Sequence, residues 1–310
     1  MKLNRRTALK LITAGGAMAA GGTRVMAARA TGPASPDAMG MLYDTTKCIG
    51  CKACVTACYQ ANNLTPTRDA DGLHQAPVDL DAHTKNIIKL YSDGTRTSFF
   101  KYQCMQCVDP ACASACMLGS LKKDAVTGIV SYTPDYCVGC RYCQLACPFN
   151  VAKFEFDSAT PQIVKCEYCR HRQADGAALT SDNGFSRYPK GMGPACAEVC
   201  PRGAVIYGKR TELLAEAKKR IAEQPGLYFE DRAYGEHDGG GTQVLYLSHV
   251  PFQRLGLPKL SNEGVPTTAY AIQETLYKGM VAPVVLYGAL AVAIARNRKT
   301  SAPASTEETR

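Results

Sequence analysis

Tryptophan is absent from the 310 residues, and phenylalanine contributes only eight. A chain so poor in the bulkiest rings has little with which to anchor a large conventional core. Histidine is scarce as well. His74, His83, His171, His237 and His249 are scattered without the spacing by which imidazoles share a metal, so a histidine-built zinc or iron site is excluded. His171 lies two residues past a cysteine but reads as a surface side chain. Basic residues nowhere interleave with aromatics in a stripe, which removes the usual signature of nucleic-acid binding. Acids are missing from the first thirty positions, which hold Lys2, Arg5, Arg6, Lys10, Arg24 and Arg29; taking those six from the net charge of +9 leaves +3.

Cysteine is what the chain has in excess: sixteen, with none left over from four quartets. Cys48, Cys51, Cys54 and Cys58 form C-x2-C-x2-C-x3-C, and Cys137, Cys140, Cys143 and Cys147 repeat it, closing on Pro148. Cys104, Cys107, Cys112 and Cys116 form C-x2-C-x4-C-x3-C. Cys166, Cys169, Cys196 and Cys200 form C-x2-C-x26-C-x3-C, closing on Pro201. Three thiolates on a tight turn can grip three corners of one 4Fe-4S cubane, while a fourth, one helical turn away, points to a neighbouring cluster. Disulfides in an exported chain would need no such spacing. Zinc uses paired C-x2-C elements and gains nothing from a third cysteine two residues on; a swap of one site for zinc stays open, with the widely split Cys166, Cys169, Cys196, Cys200 set the best fitted to it. Each oxidised cluster with its four thiolates carries about two negative charges, so the residual +3 reads as cofactor counter-charge.

The motifs are duplicated. Cys48-Ile-Gly-Cys-Lys-Ala-Cys aligns with Cys137-Val-Gly-Cys-Arg-Tyr-Cys, and Pro110-Ala-Cys-Ala-Ser-Ala-Cys116 with Pro194-Ala-Cys-Ala-Glu-Val-Cys200. The order is A-B-A-B, and each two-cluster unit joins one A with one B. Spacing leaves sequential and nested pairing equally open. Arg141, Lys165, Arg170 and Arg172 flank ligands and would favour a reduced cluster if they faced one; each reads first as solvated surface charge.

Between the motifs the signals are short. Asn86 to Tyr91 and Thr97 to Tyr102 flank Ser92-Asp93-Gly94-Thr95 and predict a β-hairpin. Strands are expected at Ile129 to Tyr132 and Gln243 to Leu247, and short ones after Gly119 and Gly203. These pieces are too small to make a large core. Thr211 to Gln224 predicts a helix with Leu213, Leu214, Ala217 and Ile221 on one face, stopped by Pro225-Gly226; Arg232 to Thr242 reads as a loop.

Both ends carry targeting signals. Asn4-Arg5-Arg6-Thr7-Ala8-Leu9-Lys10, an apolar stretch from Leu11 to Ala20 and a close at Ala28-Arg29-Ala30 resemble a twin-arginine export signal, which carries folded, cofactor-loaded proteins. Met280 to Ala295 is an uncharged run bordered by Lys278, Arg296, Arg298 and Lys299. It is short of the roughly 20 residues of a full span, but the flanking charges can snorkel. The positive cluster after it would lie on the cytoplasmic side, leaving the cysteine domains outside. The expected organisation is a signal peptide at 1–30; a four-cluster core at 40–210 with an insertion at 59–101; an extension at 211–265; an anchor region at 266–299 with a helix at 279–295; and a polar tail at 300–310.

The cysteine quartets, Gly40-Met41-Leu42-Tyr43-Asp44, Lys122-Lys123-Asp124 through Val130, Cys137 through Asn150, Gly240 through Leu245 and Thr275 through Met280 together resemble the iron-sulfur electron-transfer subunits of hydrogenase-2-type periplasmic, quinone-linked nickel-iron hydrogenases. The wider family also serves molybdopterin enzymes such as formate dehydrogenases. The resemblance implies an α+β fold of two ferredoxin-like domains in pseudo-twofold arrangement, with a C-terminal transmembrane helix. It implies nested pairing: Cys48, Cys51, Cys54 and Cys200 for one cluster; Cys58, Cys166, Cys169 and Cys196 for the second; Cys104, Cys107, Cys112 and Cys147 for the third; Cys116, Cys137, Cys140 and Cys143 for the fourth. It implies a non-catalytic subunit on the periplasmic face of the bacterial inner membrane. Its partners would be hydrogenase small and large subunits, a membrane quinone-reactive subunit and, through its anchor, the bilayer. The chain departs from the family pattern at Tyr59 and Met117, which stand where proline usually follows Cys58 and Cys116.

Overall fold

The computed structural model describes residues 34–65, 72, 79–172, 193–267, 284–294 and 296. The expected export signal, His74, the Thr275 to Met280 stretch, the polar tail and parts of the 59–101 insertion and of the anchor region lie outside the described residues. The chain divides into two units, one formed by 31–266 and the other containing the helical residues 284–294.

The larger unit is organised by a three-stranded sheet. β1 (Met39–Asp44) is central, with β6 (Val205–Lys209) antiparallel on one side and β7 (Val244–Leu247) parallel on the other. All six residues of β1 are buried because the sheet is covered on both faces. The period of two sorts the side chains. Met39, Met41, Tyr43, Val205, Tyr207, Val244 and Tyr246 face the main core with its cysteines, whereas Leu42, Ile206, Leu245 and Leu247 face a second apolar layer. That layer is completed by the long helix α5 (Arg210–Glu223), labelled after four shorter helices described below. Its Leu213, Ala217 and Arg220 recur at helical spacing and are buried together. Arg220 Nη1 reaches the fully buried Asp44 Oδ2 at 3.1 Å, and the same oxygen accepts from Tyr228 at 3.1 Å.

The expected hairpin forms as β2 (Asn86–Ser92) and β3 (Thr97–Gln103). Asp93 closes its turn by accepting from the Thr95 and Arg96 backbone N–H groups at 3.0 and 2.7 Å. A second pair, β4 (Leu121–Lys123) and β5 (Val130–Tyr132), and strand β6 follow the turns at Gly119 and Gly203 as expected.

A core larger than expected fills the space between these pieces. Tyr43, Tyr168, Tyr207, Tyr234 and Tyr246 are fully buried and take the place of the missing tryptophan. Phe100 and Tyr246 lie 4.9 Å apart between ring centres, and Tyr168 and Tyr207 lie 5.2 Å apart. Burying a phenol requires a partner for its hydroxyl. Tyr43 donates to the Phe99 carbonyl at 2.9 Å, Tyr246 to that of Lys101 at 2.7 Å and Tyr234 to that of Pro258 at 2.6 Å. The core is thus tied together by tyrosines of the central sheet and its neighbours bonding to the carbonyls of β3 and of the chain at Pro258.

Four short helices complete this unit: α1 (Ala53–Ala61), α2 (Ala111–Ser114), α3 (Tyr142–Ala146) and α4 (Ala195–Glu198). Each carries the third cysteine of one motif, and the fourth lies within α1 but just past the end of α2, α3 and α4. α1 packs on α4, and α2 on α3, so the outer motifs meet each other and the inner motifs meet each other.

In the second unit, residues 284–294 are helical, and Val284, Val285, Tyr287, Val292 and Ile294 are exposed. Among the described residues no helix is long and apolar enough to cross a membrane.

Candidate cluster-binding sites

The two A motifs use the same backbone device. Gly50 and Lys52 have φ of 70° and 57°; at the equivalent positions Gly139 and Arg141 have 68° and 63°. These left-handed residues wrap the chain so that successive cysteines turn inwards. A Cβ on Gly50 would come within 2.4 Å of the Phe99 ring, and one on Gly139 within 2.5 Å of Pro161 Cδ. Gly50 N–H points at Cys48 Sγ, 3.4 Å away, a contact that favours the thiolate.

The sulfurs gather in groups that draw on distant parts of the chain. Cys48 is crowded by Cys200 and Cys51, and Cys54 by Cys48 and Cys200 as well as Cys196. A cavity lined by Cys48, Cys51, Cys54 and Cys200, with Tyr43 and Ile88 in its wall, lies between them. Cys58 faces Cys166, Cys196 and Cys169. Cys104 and Cys107 both face Cys112 and Cys147. Cys143 faces Cys116, Cys140 and Cys137, around a cavity walled by Phe154 and Ile163.

Neighbouring groups are linked electrostatically, one to the next. Cys54 feels Cys196, Cys166 feels Cys104, and Cys112 feels Cys143. The four groups therefore form a line, and its two end groups each contain one exposed cysteine, Cys51 and Cys140.

Burial pushes the thiols up, to about 12 for Cys54, Cys143 and Cys196 and to about 11 for Cys104, Cys112 and Cys166, with neighbouring sulfurs adding to the effect. Thiolates so crowded and dehydrated need a cation among them, and a bound metal core reverses the sign of the local field. All sixteen sulfurs are free of disulfides. A single zinc ion would draw its four sulfurs to roughly 3.8 Å from one another. Among the described residues no three His, Cys, Asp or Glu side chains converge to hold one ion. The donor set, all thiol, gathered in groups and, for the first and last groups, set around a cavity, fits a polynuclear iron-sulfur core.

Three residues bear on these groups, two of which, Asn62 and Lys101, carry no sequence signal. Asn62 Nδ2 lies 3.6 Å from both Cys58 Sγ and Cys169 Sγ, while its Oδ1 accepts from Lys85 Nζ at 2.9 Å. Lys101 is fully buried and opposes the upward push on Cys54, Cys166 and Cys196. Lys165, read from the sequence as surface charge, is instead buried, because the Lys153–Val164 bridge carries its segment beneath β5. Of the other flanking cations, Arg170 pairs with Glu167 at 3.3 Å and Arg172 with Glu198 at 2.9 Å, while Arg141 lies over the Phe156 ring at 4.5 Å and also lines the cavity of the Cys143 group. His171 is exposed and bonds the Ala61 carbonyl at 2.8 Å.

Tandem cysteine groups held by tight turns and short helices define an iron-sulfur protein of the multi-cluster ferredoxin type. Residues 41–60 match the 4Fe-4S binding domain, and residues 95–182 the 4Fe-4S dicluster domain. The chain is 40% identical to the hydrogenase-2 operon protein HybA of Escherichia coli O157:H7, over 96% of each chain, and equally similar to that of Shigella flexneri. It is 30% identical to the formate dehydrogenase iron-sulfur subunit of Haemophilus influenzae over 86% of this chain and 82% of the other. The chain belongs to the HybA family of 4Fe-4S proteins.

Proposed function

We propose that this protein is the electron-transfer subunit linking a periplasmic nickel-iron hydrogenase to a quinone-reactive membrane subunit, through four 4Fe-4S clusters. The clusters would supply one-electron chemistry; the chain supplies their spacing, burial and surrounding charge. Cys48, Cys51, Cys54 and Cys200 would hold the first, Cys58, Cys166, Cys169 and Cys196 the second, Cys104, Cys107, Cys112 and Cys147 the third, and Cys116, Cys137, Cys140 and Cys143 the fourth. No residue is assigned a catalytic role. Export by the twin-arginine route and anchoring through 279–295 belong to the same reading. Greater identity and coverage favour a hydrogenase partner over a formate dehydrogenase.

The observation that carries the reading is the line of four thiol groups with an exposed cysteine in each end group. Such a line has two termini for partners and a sheltered middle. Anaerobically isolated protein should contain about sixteen iron and sixteen acid-labile sulfide per chain, and show interacting spins when reduced. Cys143→Ser should abolish quinone-linked turnover of the complex while leaving hydrogen oxidation with an artificial dye largely intact. Undiminished quinone reduction in that variant would refute the route, and co-purification with a different catalytic subunit would refute the partner.

A further inference from the structure

Of the buried lysines in the unit formed by residues 31–266, two lie deepest: Lys101 on β3, at 0% exposure, and Lys165, next to Cys166, at 3%. An ammonium group so placed loses its hydration and ordinarily recovers it from a carboxylate. Neither has one among the described residues. Lys101 Nζ donates to the side-chain oxygen of Gln103. Lys165 Nζ donates to the carbonyl of Val130 and lies 3.4 Å from that of Cys166.

Their anionic neighbours are sulfurs. Around Lys101 these are Cys196, Cys54, Cys166 and Cys58, whereas Lys165 bears on Cys104 and Cys112. The arrangement is reciprocal. Lys101 precedes Cys104 in the chain but serves the group that contains Cys166; Lys165 adjoins Cys166 but serves the group that contains Cys104. Lys101 therefore bears mainly on the second group and, through Cys54, on the edge of the first, whereas Lys165 bears on the third; both are buried away from solvent.

We propose that Lys101 and Lys165 are built-in counter-charges for the two central clusters, raising their reduction potentials and so keeping the middle of the line accessible to electrons. This rests on the cluster assignment above. A cluster that accepts one electron gains one negative charge, with no bond made or broken. A fixed cation that is nearby and unscreened stabilises the reduced form over the oxidised one. Solvent and mobile counter-ions can do this at the exposed ends; in the buried middle the protein has to carry the charge itself.

The test is a dithionite redox titration of anaerobically purified full-length protein, followed by EPR, with iron counted for each sample. Lys101→Met and Lys165→Met remove the charge, and Lys101→Arg and Lys165→Arg retain it. Lys101→Met should lower the reduced-to-oxidised ratio of the second centre at least tenfold at fixed ambient potential, a shift of 59 mV for a one-electron couple. Lys165→Met should do the same to the third, the fourth centre should not move in Lys101→Met, and the arginine variants should titrate like the parent. Unmoved midpoints in fully loaded methionine variants would overturn the proposal. If the methionine variants fail to load iron, loading of the arginine variants supports the need for charge, and their failure too assigns the lysines to packing and overturns it. A parent protein without iron would instead bring down the cluster reading itself.

Discussion

Gly50 and Gly139 show how little freedom the cysteine turns leave to single residues. Each combines a left-handed φ with a neighbour that leaves no room for a Cβ. Gly50→Ala should therefore cost the left-handed strain of about 1–2 kcal/mol and also displace Phe99, opening the turn between Cys48 and Cys51. The expected outcome is loss of about a quarter of the bound iron. Gly94→Ala is the control, since Gly94 has φ of 88° but nothing within 4 Å of its Cβ position; it should keep its full iron. At this scale the sequence was informative where spacing speaks, as in the C-x-G-C repeats. It was silent where a side chain acts across space: nothing local marks Asn62 as a neighbour of Cys169, or Lys101 as a neighbour of Cys196. Lys165 was misjudged because adjacency to a ligand says nothing about which way the backbone faces.

Elements divide by how locally they are determined. The β2–β3 hairpin and α5 were legible because a turn signal and a helical stripe are written within a few residues of the element they produce. Strand β1 was not: its six residues show no alternation, since both faces are covered, and its partners lie far along the chain in β6 and β7. The joint between β1 and α5 is apolar along its middle and ionic at one end. Asp44→Ala would leave Arg220 with only Glu216, at 2.8 Å, and remove the acceptor of Tyr228. Breaking a buried pair in this way costs about 3–5 kcal/mol. The expected result is a clearly lower temperature for thermal loss of the visible cluster absorbance. Lys219→Ala, which disturbs only the exposed 3.8 Å contact with Glu223, should leave that temperature nearly unchanged.

For the whole molecule, the number of thiol groups was written in the sequence, but their neighbourhood was not. Spacing left sequential and nested arrangements equal, and only resemblance to a family favoured nesting. The packing of α1 on α4 and of α2 on α3 is a tertiary matter that no motif encodes. The role proposed for the two ends yields a separate prediction. Removing residues 279–310 should shift the protein from the membrane to the soluble fraction with its iron content retained; a truncated protein still found with the membrane would place the attachment elsewhere.

The contact between the first and last cysteine motifs has a consequence for biogenesis. Cys48, Cys51 and Cys54 leave the ribosome long before Cys200, so a core seated early on three thiolates would wait with one corner exposed to whatever else binds iron. Metal loading would then have to follow completion of the polypeptide, and the export proposed above would have to follow loading. A transport route that accepts only finished, folded cargo suits such a timetable, and an unfolded-chain translocase would not.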